Sequence, residues 1–398
     1  MYNKVFMNYY TLPKINNIIT IKLNKSHCEI DPYISQTLIN YYNELKNNIN
    51  ILCKNINLNN HVKLEQNNVE KLDNIINYNS YTYNHIDYNE VIKLVNPHEY
   101  IFSKVPGSNF SVSKLKPKSI MFYDLLEMFK TLNLLDSFNF DIMNSLIIGE
   151  NYEDSLECLE MLRENHNDDK FFCFHEYNSK LYSLIEKTKF NFIIYETNNF
   201  ENINQYVIKL IELLLIILNH LKENSIIILK INNIYYKPII EILYIFCSFF
   251  EKTHIIKPNT SNIITPDKYI ILQNLKLNHY SFEIINNYVV SLNKFIVENS
   301  NNNNIDNESQ CDFKIHNIID SKIPYFFLNK IDDINIIIGQ QQLDLLNQII
   351  NILKGKNKEE KLETLKKNNI QRCVNWCEKF KIPYNKFSDK INIFLPNN

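Results

Sequence analysis

Residues 190–231 read FNFIIYETNNFENINQYVIKLIELLLIILNHLKENSIIILKI. Two short apolar runs, 190–196 and 224–231, flank a stretch (201–223) whose apolar residues recur at helical spacing. Short apolar runs rich in β-branched and aromatic residues read as buried strands, and longer 3.6-period stretches read as helices. The segment therefore predicts a strand, a helix and a second strand.

The same alternation extends outward. IMFYDLLEMFKTLNLL (120–135) predicts a helix, NSLIIG (144–149) a strand and EDSLECLEMLREN (153–165) a helix. FFCFHE (171–176) predicts a strand and NSKLYSLIEKT (178–188) a helix. After the opening segment come the helix KPIIEILYIFCSFFEK (237–252) and the strands THIIKP (253–258) and KYIILQNL (268–275). Apolar strands alternating with amphipathic helices predict an α/β fold, a mostly parallel sheet covered by helices on both faces. Such sheets bind ligands beyond the carboxyl ends of their strands. Gly149 and Glu196 lie at predicted strand ends, and Lys230 is near a third.

NSLIIGENYEDSLECL (144–159) outlines a strand, tight loop and helix of the kind that holds a nucleotide-like cofactor. Such loops carry several glycines, so that the backbone can turn sharply and approach the ligand. Here only Gly149 is present, followed by Glu150, Asn151 and Tyr152. Glu176, at another predicted strand end, could bind a ribose hydroxyl; a surface carboxylate is the commoner reason for such a residue.

Composition narrows the classes. A net charge of -2 gives no whole-molecule reason for a nucleic-acid partner, while leaving room for a local basic patch. The chain has no alanine, and its only arginines are Arg163 and Arg372, a usage that points to an AT-rich genome. Such drift lowers glycine content, but should not remove a glycine that a ligand site needs. The eight cysteines form no CxxC pair, so neither a zinc site nor a disulfide framework is indicated. Cys373 and Cys377 fall on one helix face beside Trp376 and read as packing residues. The first ten residues lack the uninterrupted apolar core of a secretory leader. The apolar run 207–218 is short for a membrane span and reads as a buried helix.

Outside the alternating region, 34–52 has helical spacing, and 64–78 has the outline of another helix. NPHEYIFSKVPGSNFSVSKLKPKS (96–119) is loop-like and sets Lys104, Lys114, Lys116 and Lys118 among Tyr100, Phe102 and Phe110. Basic residues interleaved with aromatics suit an RNA surface; an ordinary solvated loop with anchoring aromatics is an equal reading. Residues 276–398 read as a helical appendage with a polar low-complexity stretch at 299–310 and two helical patterns broken near Gly355. Its lysines 354–367 are interspersed with glutamates and read as a solvated helix face.

KPKSIMFYDLLEM, the strand ending at Gly149, the run KINNIYYKPIIEILYIFCSFFEKTHIIKPNTS (230–261) and the tail IQRCVNWCEKFKIPYN together resemble the FtsJ-like ribose 2'-O-methyltransferases of large DNA viruses. The resemblance covers most of the chain from about residue 96, and 230–261 is its most specific part. It implies a Rossmann-like methyltransferase domain at 96–275, between an N-terminal extension (1–95) and a mainly helical C-terminal one (276–398). It implies S-adenosylmethionine as methyl donor at the first strand-loop-helix, held by Gly149, Glu150 and Glu176, and no metal. The implied acceptor is a ribose 2'-hydroxyl of RNA, often beside the cap of an mRNA. Viral mRNA-processing proteins are implied partners, in the host cytoplasm or the virion, without a membrane.

Family members use a Lys-Asp-Lys-Glu tetrad whose central lysine lowers the effective pKa of the attacking hydroxyl. Carried over, the first lysine falls at Asp124, the aspartate at Glu196, the second lysine at Lys230 and the glutamate at Asp267. One identity is kept, two carboxylates change length and one charge is reversed. A methylene moves a carboxylate by roughly 1 Å, which can cost about a hundredfold in rate. The resemblance therefore carries two expectations: an RNA 2'-O-methyltransferase with a degenerate donor loop and tetrad, or a catalytically inactive RNA-binding or scaffold subunit of a viral mRNA-processing or virion complex.

Overall fold

The computed structural model describes residues 8–69, 88–139, 141–176, 185, 187–197, 202–302, 314–355 and 358–386. The chain divides into two compact units: residues 1–36, 118–258 and 266–338 form one, and 37–117, 259–265 and 339–398 the other.

The first unit is built on the segment 190–231. β5 (Phe190–Glu196), α5 (Ile203–His220) and β6 (Leu221–Ile231) form a strand-helix-strand crossover, and β5 and β6 pair in parallel. Asn202 starts α5 by accepting the Asn204 N–H at 2.8 Å, the usual way a side chain satisfies an unpaired first-turn donor. The helix stops at His220, earlier than the periodicity predicts, because Leu221 is already extended. Asn224 has φ +59°, and the register with β5 shifts between Phe190 and Phe192, so polar residues of the apparent helix tail belong to an irregular strand start.

The full sheet has seven strands in the order β1-β7-β8-β6-β5-β3-β4. The remaining strands are β1 (Asn8–Leu12), β3 (Asn144–Ile148), β4 (Lys170–Phe174), β7 (Phe250–Lys257) and β8 (Lys268–Leu275). It is a Rossmann-like α/β sheet, mixed in direction. β3–β4, β3–β5 and β5–β6 pair in parallel, whereas β6–β8, β7–β8 and β1–β7 pair antiparallel. The expectation of a mostly parallel sheet is corrected on this half. A strand buried on both faces has the same apolar pattern in either direction, so burial does not reveal polarity. β1 comes from the N-terminal stretch and was not predicted as a strand.

Helices α3 (Met121–Leu132) and α4 (Tyr152–Leu162) pack on each other, and α4 lies against β3 and β4. The helix α6 (Lys237–Phe249) is almost wholly buried and carries the small antiparallel sheet of β2 (Ile21–Ser26) and β9 (Lys314–Ile319). α7 (Phe282–Asn302) packs on α5. By length and composition α5 could cross a membrane, but 67% of it is buried within the fold, where it serves as the core crossover helix. The predicted helix 178–188 falls almost entirely outside the described residues.

In the second unit, α1 (Gln36–Val69), α2 (Tyr88–Val95), the latter part of α8 (Tyr325–Lys354) and α9 (Lys358–Phe380) share a core that includes Ile49, Val91, Val95, Leu346, Ile349 and Leu353. α1 continues through the start of the second predicted N-terminal helix; residues 70–78 of that prediction lie outside the described residues. α8 and α9 flank Gly355, where the sequence pattern broke. Cys373 and Cys377 are buried in α9 beside Trp376, as packing residues.

Candidate functional site at the carboxyl ends of the strands

Glu196, the last residue of β5, stands opposite Lys230 of β6, and Lys230 stands opposite Tyr269 of β8. Paired residues on neighbouring strands direct their side chains to the same face. Glu196, Lys230 and Tyr269 thus form one row across three strands. Asp124, in the first turn of α3, meets this row: the Tyr269 hydroxyl donates to its Oδ2 at 3.2 Å.

The structure therefore gathers Asp124, Glu196 and Lys230, residues distant in sequence. Asp267 is nearby but precedes β8, and Tyr269 takes the place in line with Lys230. The resemblance placed the family glutamate at Asp267 in TPDKY; Tyr269, opposite Lys230, lies two positions on. Asp267 contributes its backbone carbonyl, which accepts from Lys257 Nζ at 2.6 Å.

Two further lysines were missed. Lys257 ends β7 and Lys268 begins β8, and each is 2% exposed. Burial lowers Lys257 to about 8, opposed by Asp267 and Asp124 and reinforced by Lys230. Burial and then repulsion from Lys257 lower Lys268 to about 7, with Asp267 opposing. Lys268 donates to the Asn232 carbonyl at 2.9 Å and lies 5.8 Å from the centre of the Tyr235 ring. Their only trace in sequence is that both sit at predicted strand ends, in IIKPNTS and TPDKY.

Asp124 and Glu196 are buried as well, whereas Asp267 is half-buried. Burial raises Glu196 above the ordinary carboxylate range; Lys230 and a 3.2 Å hydrogen bond from Ser155 Oγ oppose this, while Asp154 and Glu150 add to it. Tyr269 is pushed well above the usual phenol value by burial and then by Asp124, so it acts as a neutral hydrogen-bond donor.

The loop after β3 is covered at its glycine. A Cβ built on Gly149 would lie 2.7 Å from Glu196 Cβ, 2.9 Å from Cγ and 2.7 Å from Cδ. The side of Gly149 that a glycine normally leaves open to a ligand is thus covered by Glu196. The Gly149 N–H donates to the Phe174 carbonyl at 3.0 Å, tying the loop to the end of β4. The Tyr152 ring meets that of His175 edge-on, with centroids 4.9 Å apart. Glu150 and Glu176 are exposed. These residues do not fit S-adenosylmethionine: the close-approach surface at Gly149 is occupied by the Glu196 side chain. Among the described residues, no group of three or more His, Cys, Asp or Glu side chains gathers as a metal site would require.

The basic-aromatic segment divides. Lys104, Lys114 and Lys116 are exposed in the second unit, with Phe110 59% exposed. Tyr100 is buried as an anchor. The Val105 N–H donates to Phe110 O at 3.0 Å around Gly107 (φ +80°). Lys114 N–H donates to Pro383 O at 2.9 Å, and Asn385 N–H to Val112 O at 2.8 Å, pinning the loop to the C-terminal tail. Lys118 belongs to the sheet unit and pairs with Glu153 at 2.5 Å, so its charge is locally neutralised.

No family model matches the chain, and no curated protein matches it significantly.

Proposed function

We propose that the chain is an FtsJ-like protein that has given up methyl transfer and serves as an RNA-binding subunit, in the setting of viral mRNA processing or the virion. One observation carries this reading. The place of the family's first lysine holds a buried carboxylate, Asp124, fixed by a neutral tyrosine, Tyr269. A carboxylate there opposes the build-up of negative charge on an attacking hydroxyl, the reverse of what transfer requires. The exposed Lys104, Lys114 and Lys116 around Phe110 support RNA as the ligand, since phosphates pair with lysines and an exposed ring offers a base a stacking surface.

The test measures binding of a capped single-stranded RNA over a salt series, with a parallel assay of methyl transfer. Binding should weaken steeply with salt, and joint Lys114→Glu and Lys116→Glu substitution should flatten the slope by about 0.7 per lost phosphate contact. Methyl transfer above background, or no RNA binding at low salt, would overturn the reading.

One surface favours the alternative of a protein-binding scaffold. Tyr325 (84% exposed), Phe326, Ile336 and Ile337 (45% exposed) follow helical spacing on the outer side of α8. RNA binding absent in the wild type, with a partner whose capture is lost on Tyr325→Ser, would favour this second reading.

A further inference from the structure

Gly149 poses a problem of its own. It follows β3 in the loop where the other expected glycines have been replaced, yet its φ is not in the left-handed region. Backbone conformation therefore does not require glycine here. What requires it is Glu196: all three of its side-chain carbons Cβ, Cγ and Cδ lie within 2.9 Å of where a Cβ would stand. One of these atoms, Cδ at 2.7 Å, is the carbon that a glutamate has and the family's aspartate lacks. The Glu196 carboxylate accepts from Ser155 Oγ at 3.2 Å and is attracted by Lys230, which stands opposite it on the neighbouring strand. Its residue is only 7% exposed.

We propose that Glu196 is a built-in occupant of the donor cradle: its side chain lies on the face of Gly149 that an adenosylated sulfonium ligand would use, and one glycine was kept to admit it. This inference rests on the reading under Proposed function. It adds that the site is shut by one side chain on an otherwise intact sheet. Gly149 and Glu196 are then a matched pair, and the carboxylate stands in the ligand's place beside Lys230.

Calorimetric titration of the full chain with S-adenosylhomocysteine tests this. Wild type and Glu196→Gln, which keeps the shape, should show no binding. Glu196→Ala should bind with a Kd at least about tenfold below the detection limit set by the wild type. Glu196→Asp, which keeps the charge opposite Lys230, should bind more weakly than Glu196→Ala. Folded Glu196→Ala and Glu196→Asp proteins that both fail to bind would overturn the plug and leave the proposed function standing. Wild-type binding as tight as that of Glu196→Ala would likewise overturn the plug, while the proposed function falls only to methyl transfer or to a lack of RNA binding.

A double-mutant cycle keeps the pair testable without any ligand. Gly149→Ala should lower the urea midpoint in the wild-type background and lower it less in the Glu196→Ala background, where only the Cβ contact at 2.7 Å remains. Equal losses in both backgrounds would mean that Glu196 does not pack on Gly149, and the proposal fails.

Discussion

Tyr269 donates its phenolic proton to Asp124 across 3.2 Å, joining β8 to the first turn of α3 inside the fold. Tyr269 is 1% and Asp124 4% exposed, so neither can exchange this bond for water. Asp124 also raises the charged state of the buried Lys257. A lysine at position 124 would have no place in this arrangement.

Asp124→Lys, the substitution that restores the family residue, should therefore destabilise the protein by about 3–5 kcal/mol, the range for leaving an uncompensated buried charge. Asp124→Asn keeps an acceptor for Tyr269 and should cost about 1–2 kcal/mol. Urea denaturation of both variants checks the order. An Asp124→Lys protein as stable as the wild type would show that the pocket accommodates the family lysine.

Lys268 should make stability depend on pH. Its folded value of about 7 lies below the free value of 10.5, so the folded state releases the proton more readily. The associated stability is present above about 10.5 and is lost as pH falls through about 7. Lys268→Met removes this dependence and sacrifices the bond to the Asn232 carbonyl, worth about 1 kcal/mol. Relative to wild type, the variant should gain stability at pH 6 compared with pH 9, as read by the difference in urea midpoints.

Glu241 behaves in the opposite sense. Its carboxylate, in α6, accepts the Ile318 N–H of β9 at 2.5 Å, and burial raises it to about 6 from 4.5. Its folded value is raised, so its contribution is fully present below about 4.5 and is lost as pH rises through about 6. The shift corresponds to about 2 kcal/mol. Glu241→Gln still offers an oxygen to Ile318 and should abolish this loss, so that the variant equals or exceeds the wild type at pH 7.5. Denaturation at pH 4.5 and 7.5 measures it.

Arg163 resists the lysine enrichment of the sequence for a geometric reason. Its Nε and Nη2 bind both oxygens of Asp169, at 2.6 and 3.0 Å, while Nη1 and Nη2 reach the carbonyls of Phe138 and Asp141. Both side chains are buried, at 3% and 2% exposure. A lysine offers a point charge where a planar fork is used. Arg163→Lys keeps the charge but loses the fork's hydrogen bonds and should cost about 1.5–3 kcal/mol, seen as an earlier denaturation midpoint.

The strand-helix-strand segment at 190–231 was legible because apolar period and run length specify element type. Lys230 at a strand end, the break near Gly355 and the packing role of Cys373 and Cys377 were legible in the same way. The direction of β8 was not, because a strand buried along most of its length looks alike from either end; β1 is half exposed and too polar to stand out as a strand. β2 and β9 were missed because short, half-polar strands pair through contacts almost 300 residues apart, as at Ile21 and Ile319.

By itself, then, the sequence determined the α/β class, the core crossover and a set of charged residues near strand ends. Tertiary structure decided which of those residues meet. Strand register brought Tyr269, two positions beyond Asp267, into line with Lys230. The closing of β3 beside β5 laid Glu196 on Gly149. Local patterning records which face a residue is buried on; the residue it is buried against depends on how distant strands are paired.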